Sequence, residues 1–102
     1  MTQSIELIET IKEHYVIYIQ SWTGSFISVC EDEYRTGEMV ADATGDMEEI
    51  KFSSCIEAKE KAVELLKREK GWATGYKILK VVERYDAEGD FIYSDRVEEF
   101  RS

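Results

Sequence analysis

The stretch SSCIEAKEKAVELLKREKG, residues 53–71, constrains the fold more than any other part of the chain. Ser54 and Glu57 have capping-box spacing, so hydroxyl and carboxylate can each satisfy a free amide of a first helical turn. Ile56, Ala62, Val63 and Leu66 recur at helical spacing and predict a buried stripe. Glu57–Lys61 and Glu64–Arg68 are i,i+4 pairs in the favourable order. Lys67, Arg68 and Lys70 crowd the carbonyl end, where positive charge opposes the helix dipole, and Gly71 stops the helix. The expectation is one helix over about 53–70 whose charges form a solvated face.

Strand-like runs flank it on both sides. HYVIYIQSW and SFISVC are β-branched and aromatic runs joined by Thr23-Gly24, a two-residue hairpin signal. That loop sets Trp22 opposite Ser25, Gln20 opposite Ile27 and Tyr18 opposite Val29. One sheet face then carries Val16, Tyr18, Trp22, Ile27 and Val29, and the other Tyr15, Ile17, Ile19, Phe26 and Cys30. Both faces are apolar, so each needs cover, and one helix can cover only one. After the helix, Tyr76–Tyr85 and Phe91–Phe100 form a second hairpin around Asp86–Asp90. Shorter strands are expected near Glu38–Ala43 and Ile50–Phe52, broken at Thr44-Gly45-Asp46. In SIELIETIKEH, Ile5, Ile8 and Ile11 recur every three residues behind Ser4, which favours a short N-terminal helix over a strand. Such a helix, a second copy or a partner would cover the second face.

The fold class expected is α+β: an antiparallel sheet of four or five strands, two hairpins, with the 53–70 helix packed on one face. One hundred and two residues make this a single domain, 1–102. An apolar fraction of 43% with 12% aromatics is that of a folded chain. The start, MTQSIELIETIKEH, has neither the basic nor the apolar region of a secretory signal, and no apolar run is long enough to span a membrane. A cytoplasmic location is expected. Cys30 and Cys55 fall in no CxxC pairing and read as reduced, apolar thiols.

Motifs for catalysis and cofactors are sparse. The lone histidine, His14, sits at a strand entrance with no acyl-transfer motif beside it. Gly71-Trp72-Ala73-Thr74-Gly75 follows a helix C-terminus, the wrong dipole end for phosphate. Asp86, Glu88 and Asp90 match the first ligand positions of a calcium loop, but Phe91 and Val97 stand where glycine and bidentate glutamate belong. A trial from Asp42 fails likewise at Met47 and Ser53. No catalytic residue, metal site or cofactor is expected.

Charge is the remaining signal. The chain is −9, and residues 31–49 carry eight carboxylates against Arg35 alone. Such a surface repels nucleic acid and anionic membrane, which bind through lysine and arginine. It suits a basic protein surface, since complementary charge raises on-rates and selects partners. Alternate residues of a strand lie about 7 Å apart on one face, near the spacing of backbone phosphates. Candidate partner-binding residues are Glu31, Asp32, Glu33, Tyr34, Glu38, Asp42, Asp46, Glu48, Glu49 and, at the hairpin turn, Trp22.

In size, charge and lack of catalytic motifs the chain resembles the small acidic proteins that phages and mobile elements use against host defences, anti-CRISPR proteins among them. That resemblance transfers no residue-level role. It implies a non-enzymatic inhibitor occupying the nucleic-acid-binding surface of a basic partner. The alternative is a self-associating subunit, a homodimer through the apolar sheet face of Tyr18 and Ile27; a small enzyme or ligand binder ranks third.

Overall fold

The computed structural model describes residues 8–31, 38–42 and 47–102. Five strands and one helix follow in the order β1 (Thr10–Ser21), β2 (Phe26–Glu31), β3 (Met39–Asp42), α1 (Cys55–Arg68), β4 (Ala73–Tyr85) and β5 (Phe91–Arg101). The strands form one antiparallel sheet in the order β3-β2-β1-β4-β5, with α1 on one face, the α+β arrangement expected. β1 is central, pairing with β4 from Thr10↔Tyr85 to Ser21↔Ala73. Among the described residues no helix is long and apolar enough to cross a membrane.

The helix starts where its cap chemistry puts it. Ser54, in extended conformation, accepts the Glu57 amide on its hydroxyl at 3.1 Å. Its buried face keeps Ala62 of the expected stripe, with Leu66 packed against the core, but Ala58 and Leu65 are buried in place of the expected Ile56 and Val63, which are 71% and 39% exposed. Both sets have helical spacing. The small side chains of Ala58 and Ala62 let the helix backbone approach the sheet, with Leu65 packing beside Ile17, Ile19, Tyr76 and Ile78. The expected i,i+4 pairs are replaced by Lys61–Glu64 at 3.4 Å and by Arg68, which turns to Glu38 and Glu69.

The first hairpin forms one residue out of the expected register. The Ser21 amide on the Ser25 carbonyl at 2.8 Å closes a three-residue loop, Trp22–Gly24, with Gly24 at φ +94°. Tyr18 pairs with Ser28, Ile19 with Ile27 and Gln20 with Phe26. A slip of one residue exchanges the two faces of a strand. Ile27 and Val29 therefore join Tyr15, Ile17 and Ile19 on the helix side, and Phe26 and Cys30 join Val16 and Tyr18 on the other. The apolar face expected from Val16, Tyr18, Trp22, Ile27 and Val29 is not a surface of this fold.

Beyond Ser28 the second strand leaves β1, and residues 49–52 enter the wedge. Phe52 exchanges both backbone hydrogen bonds with Tyr15 at 2.8 Å, the Ile50 amide reaches the Val29 carbonyl at 3.1 Å, and Glu49 bridges Cys30. The expected short strands thus appear as β3 and this insert; the break at Thr44-Gly45-Asp46 lies outside the described residues. The expected N-terminal helix is corrected in part. Thr10–His14 is strand, because its backbone pairs with Glu83, Val82 and their neighbours on β4, whereas Ser4, Ile5 and Leu7 lie outside the described residues. The second hairpin matches expectation, its loop tied by the Asp86 carboxylate accepting the amides of Glu88 and Asp90 at 3.0 and 2.9 Å.

Candidate functional site

The register of β2 gathers acids from separate parts of the chain. Glu31 ends β2 opposite Met39, next to Glu38, and Cys30 bridges Glu49, next to Glu48. Glu31, Glu38 and Glu48 thus come to one end of β2, and all three are exposed. Asp32, Glu33, Tyr34 and Asp46 lie outside the described residues.

Two other described acids of the segment, Asp42 and Glu49, serve the fold. Asp42 is only 8% exposed and accepts the Met47 amide on Oδ2 at 2.8 Å, so it holds the chain entering the insert. Glu38 is exposed but pairs with Arg68 at 3.5 Å, and Arg68 also donates to the Met39 carbonyl. Glu49 is held by Arg96 of β5. Arg96 Nη2 donates to Glu49 Oε1 at 2.7 Å, and Nη1 donates to Oε2 at 3.0 Å and to the Tyr18 hydroxyl at 2.8 Å. To do so the arginine passes over β4 and β1, on the face opposite the helix.

This crossing answers the question of the second face. Val16, Cys30 and Val81 are buried there without a helix above them, and Arg96 is the cross-strand neighbour of Val81. Further along, Lys77 and Arg101 lie over the Phe26 ring at 4.0 and 5.1 Å. Long side chains of β4 and β5 fold down over their own sheet, apolar stems inward and charges out. Sequence reading missed Arg96 and Tyr18 as a pair, since 78 residues separate them and only the sheet order joins them.

Ionisation follows the packing. The Arg96 guanidinium holds the Glu49 carboxyl below the usual glutamate range, against burial, which acts the other way. Burial pushes the Cys30 thiol and the Tyr18 hydroxyl up. Burial lowers His14, outweighing the nearby Glu83 carboxylate 3.8 Å away.

Trp22 stands apart from the acids. It is 74% exposed in the β1–β2 turn, at the opposite end of β2 from Glu31, about 17 Å of strand away. Its amide donates to the Trp72 carbonyl at 3.0 Å. Trp72 itself packs against the core, with Nε1 on Glu69 Oε1 at 3.1 Å, and borders an open groove of about 570 Å³ with Met39, Ala41 and Arg68. Among the described residues no group of His, Cys, Asp and Glu could hold a metal ion, and no buried side-chain nitrogen or oxygen lacks a hydrogen-bond partner. No family model, curated protein or solved structure matches the chain.

Proposed function

We propose that this protein is a non-enzymatic binding module whose acidic surface docks on a basic protein, acting in its sharpest form as an inhibitor that occupies a nucleic-acid-binding groove. One observation carries the reading: among the described residues every arginine and most lysines are engaged within the molecule, while acids remain on its surface. Arg68, Arg84, Arg96 and Arg101, the arginines among the described residues, each hold a carboxylate, and Lys12, Lys59 and Lys77 lie over aromatic rings. Glu48, Glu57, Glu60, Glu88 and Glu99 are exposed. The outward field is therefore anionic, and phosphate finds no uncommitted arginine among these residues.

Within the acidic segment, the docking residues of this proposal are Glu31, Glu38 and Glu48 with Asp32, Glu33, Tyr34 and Asp46. Asp42 and Glu49 act as the scaffold that holds the segment. Trp22 would contact a partner only if that partner spans the length of β2.

The test is affinity capture from lysate of the source organism, with wild type beside a variant carrying Glu31→Gln, Asp32→Asn, Glu33→Gln and Glu48→Gln. Asp42 and Glu49 stay intact so that the fold is kept. A nucleic-acid-handling protein retained by wild type, released by moderate salt, lost with the variant and displaced from its nucleic acid by wild type supports the proposal. Capture of the same proteins by both baits refutes it.

A further inference from the structure

β5 ends the sheet, and its outer edge has no neighbour among the described residues. Such an edge offers a row of backbone donors and acceptors to another strand, and proteins commonly blunt it with lysine, proline or bulges. The other edge, β3, is four residues long. β5 runs for eleven residues, FIYSDRVEEFR, without lysine or proline. Its irregularities face Ile78/Leu79 and Arg84/Tyr85, which leaves Tyr93–Glu98 in regular pairing with β4. Tyr93 and Val97, 45% and 53% exposed, lie on the helix-bearing side, where the sheet extends past α1.

We infer that this edge pairs with the β5 edge of a second copy, related by a two-fold axis perpendicular to the sheet and centred on Asp95. A two-fold of this kind must pass a residue opposite its own image, because cross-strand neighbours share a face. Centred on Asp95, it sets Tyr93 opposite the second copy's Val97 in both halves, and covers both exposed apolar side chains. Each Asp95 already holds an Arg84 guanidinium at 2.9 Å, so the centre carries two carboxylates between two cations. Centred on Arg96, the axis would place Asp95 against Val97 and Tyr93 against Glu99, outside the regular stretch, and would cover neither apolar side chain with the other. Centred on Ser94 or Val97, it would pair only three residues of the regular stretch.

Charge permits a second copy at this edge although it opposes one elsewhere. Two chains of −9 repel each other over most approaches. Along Tyr93–Glu98, Asp95, Arg96 and Glu98 are each paired within their own chain, to Arg84, Glu49 and Arg101. Five residues of each chain, Tyr93–Val97, pair in this arrangement, against the roughly 20–30 a side of a standard interface, so association is reversible. Added salt screens the long-range repulsion and strengthens it, opposite in sign to docking on a basic partner.

Sedimentation equilibrium of the full chain, from micromolar to millimolar concentration at low and high salt, tests this. The expected result is a monomer–dimer equilibrium that tightens with salt and weakens about tenfold or more in Val97→Lys. Ile56→Lys, on the exposed side of α1, leaves it unchanged. A wild type that is monomeric throughout, or a folded Val97→Lys that dimerises as wild type does, overturns the inference. Cross-linking tests the register without relying on Val97. In a Cys55→Ser background, Asp95→Cys at the axis oxidises to a dimer, since directly opposed Cα atoms lie about 4.5–5.5 Å apart, within disulfide reach. Ala87→Cys, in the β4–β5 turn, serves as the collision control, and equal rates at the two positions refute the pairing.

Discussion

Arg96 on β5 grips Glu49 with two hydrogen bonds of 2.7 and 3.0 Å, joining an edge strand to an insert on the far side of β1. The pair is half-shielded rather than buried, with side chains 42% and 20% exposed, so its net worth is well below that of a buried pair. Removing one partner is a different matter, because Arg96→Ala leaves a mostly covered carboxylate with Tyr18 in place of a cation and uncovers Val81. A loss of about 1–2 kcal/mol is expected, with a coupling of about 1 kcal/mol in the Arg96→Ala, Glu49→Ala double-mutant cycle. Urea titration of the four proteins measures both. Additive single losses would show that the two side chains act independently.

Acid should weaken the fold in two steps. His14 has its pKa lowered below 6.5 by burial, so the unfolded chain takes up that proton before the native one. Its contribution is complete above about 6.5 and is lost as pH falls through the lowered native value. Glu49 is likewise lowered, chiefly by the Arg96 hydrogen bonds, and its contribution is complete above about 4.3 and lost as pH falls below that. Urea midpoints measured from pH 7.5 to about 3 should therefore decline in both windows. Glu49→Gln should flatten the lower one and His14→Gln the upper one. A wild-type midpoint independent of pH between 7 and 5 would contradict the His14 assignment, as would an imidazole resonance titrating above its ordinary value.

The helix face gives a sharp contrast between two residues of similar volume. Leu65 is 1% exposed among Ile17, Ile19 and Ile78, whereas Ile56 is 71% exposed. Leu65→Ala should cost about 2–5 kcal/mol, the range for emptying a packed core position. Ile56→Ala should change stability by about 0.5 kcal/mol or less. Thermal melts of the two variants decide it, and equal losses would mean that the helix sits rotated from its described position.

What could be read from the sequence was local. Ser54, Glu57 and the last-turn bases marked the helix because capping and dipole effects act within a turn, and Asp86 to Asp90 marked the second hairpin because that loop ties its own backbone. The helix face was legible only in part: Ala62 and Leu66 belong to it as read, but Ala58 and Leu65 share their spacing with the more apolar Ile56 and Val63, which are exposed. The β1–β2 register was not legible, where a three-residue loop and a two-residue loop differ by one position and exchange the faces of Ile27 and Phe26. The insert at 49–52 depends on β2 leaving β1, a tertiary event without a local signature. Counting carboxylates found the acidic segment but not that Asp42 and Glu49 turn inward, because their partners, the Met47 amide and Arg96, are set by that same insert.

The division of acids into scaffold and surface leads to the last prediction. Asp42 accepts the Met47 amide at 2.8 Å at 8% exposure, while Glu48, next to the equally structural Glu49, is exposed. Asp42→Ala strands a covered amide and should cost about 1–3 kcal/mol. Glu48→Gln should leave stability within about 0.5 kcal/mol of wild type. Against a captured partner the order reverses: Glu48→Gln weakens binding and reduces its salt dependence, while the folded fraction of Asp42→Ala binds as wild type does. Calorimetric titration at two salt concentrations, on samples whose folded fraction is known from the melts, reads both effects. If Asp42→Ala loses affinity and Glu48→Gln does not, the docking surface lies elsewhere and the segment matters to binding only through the shape it maintains.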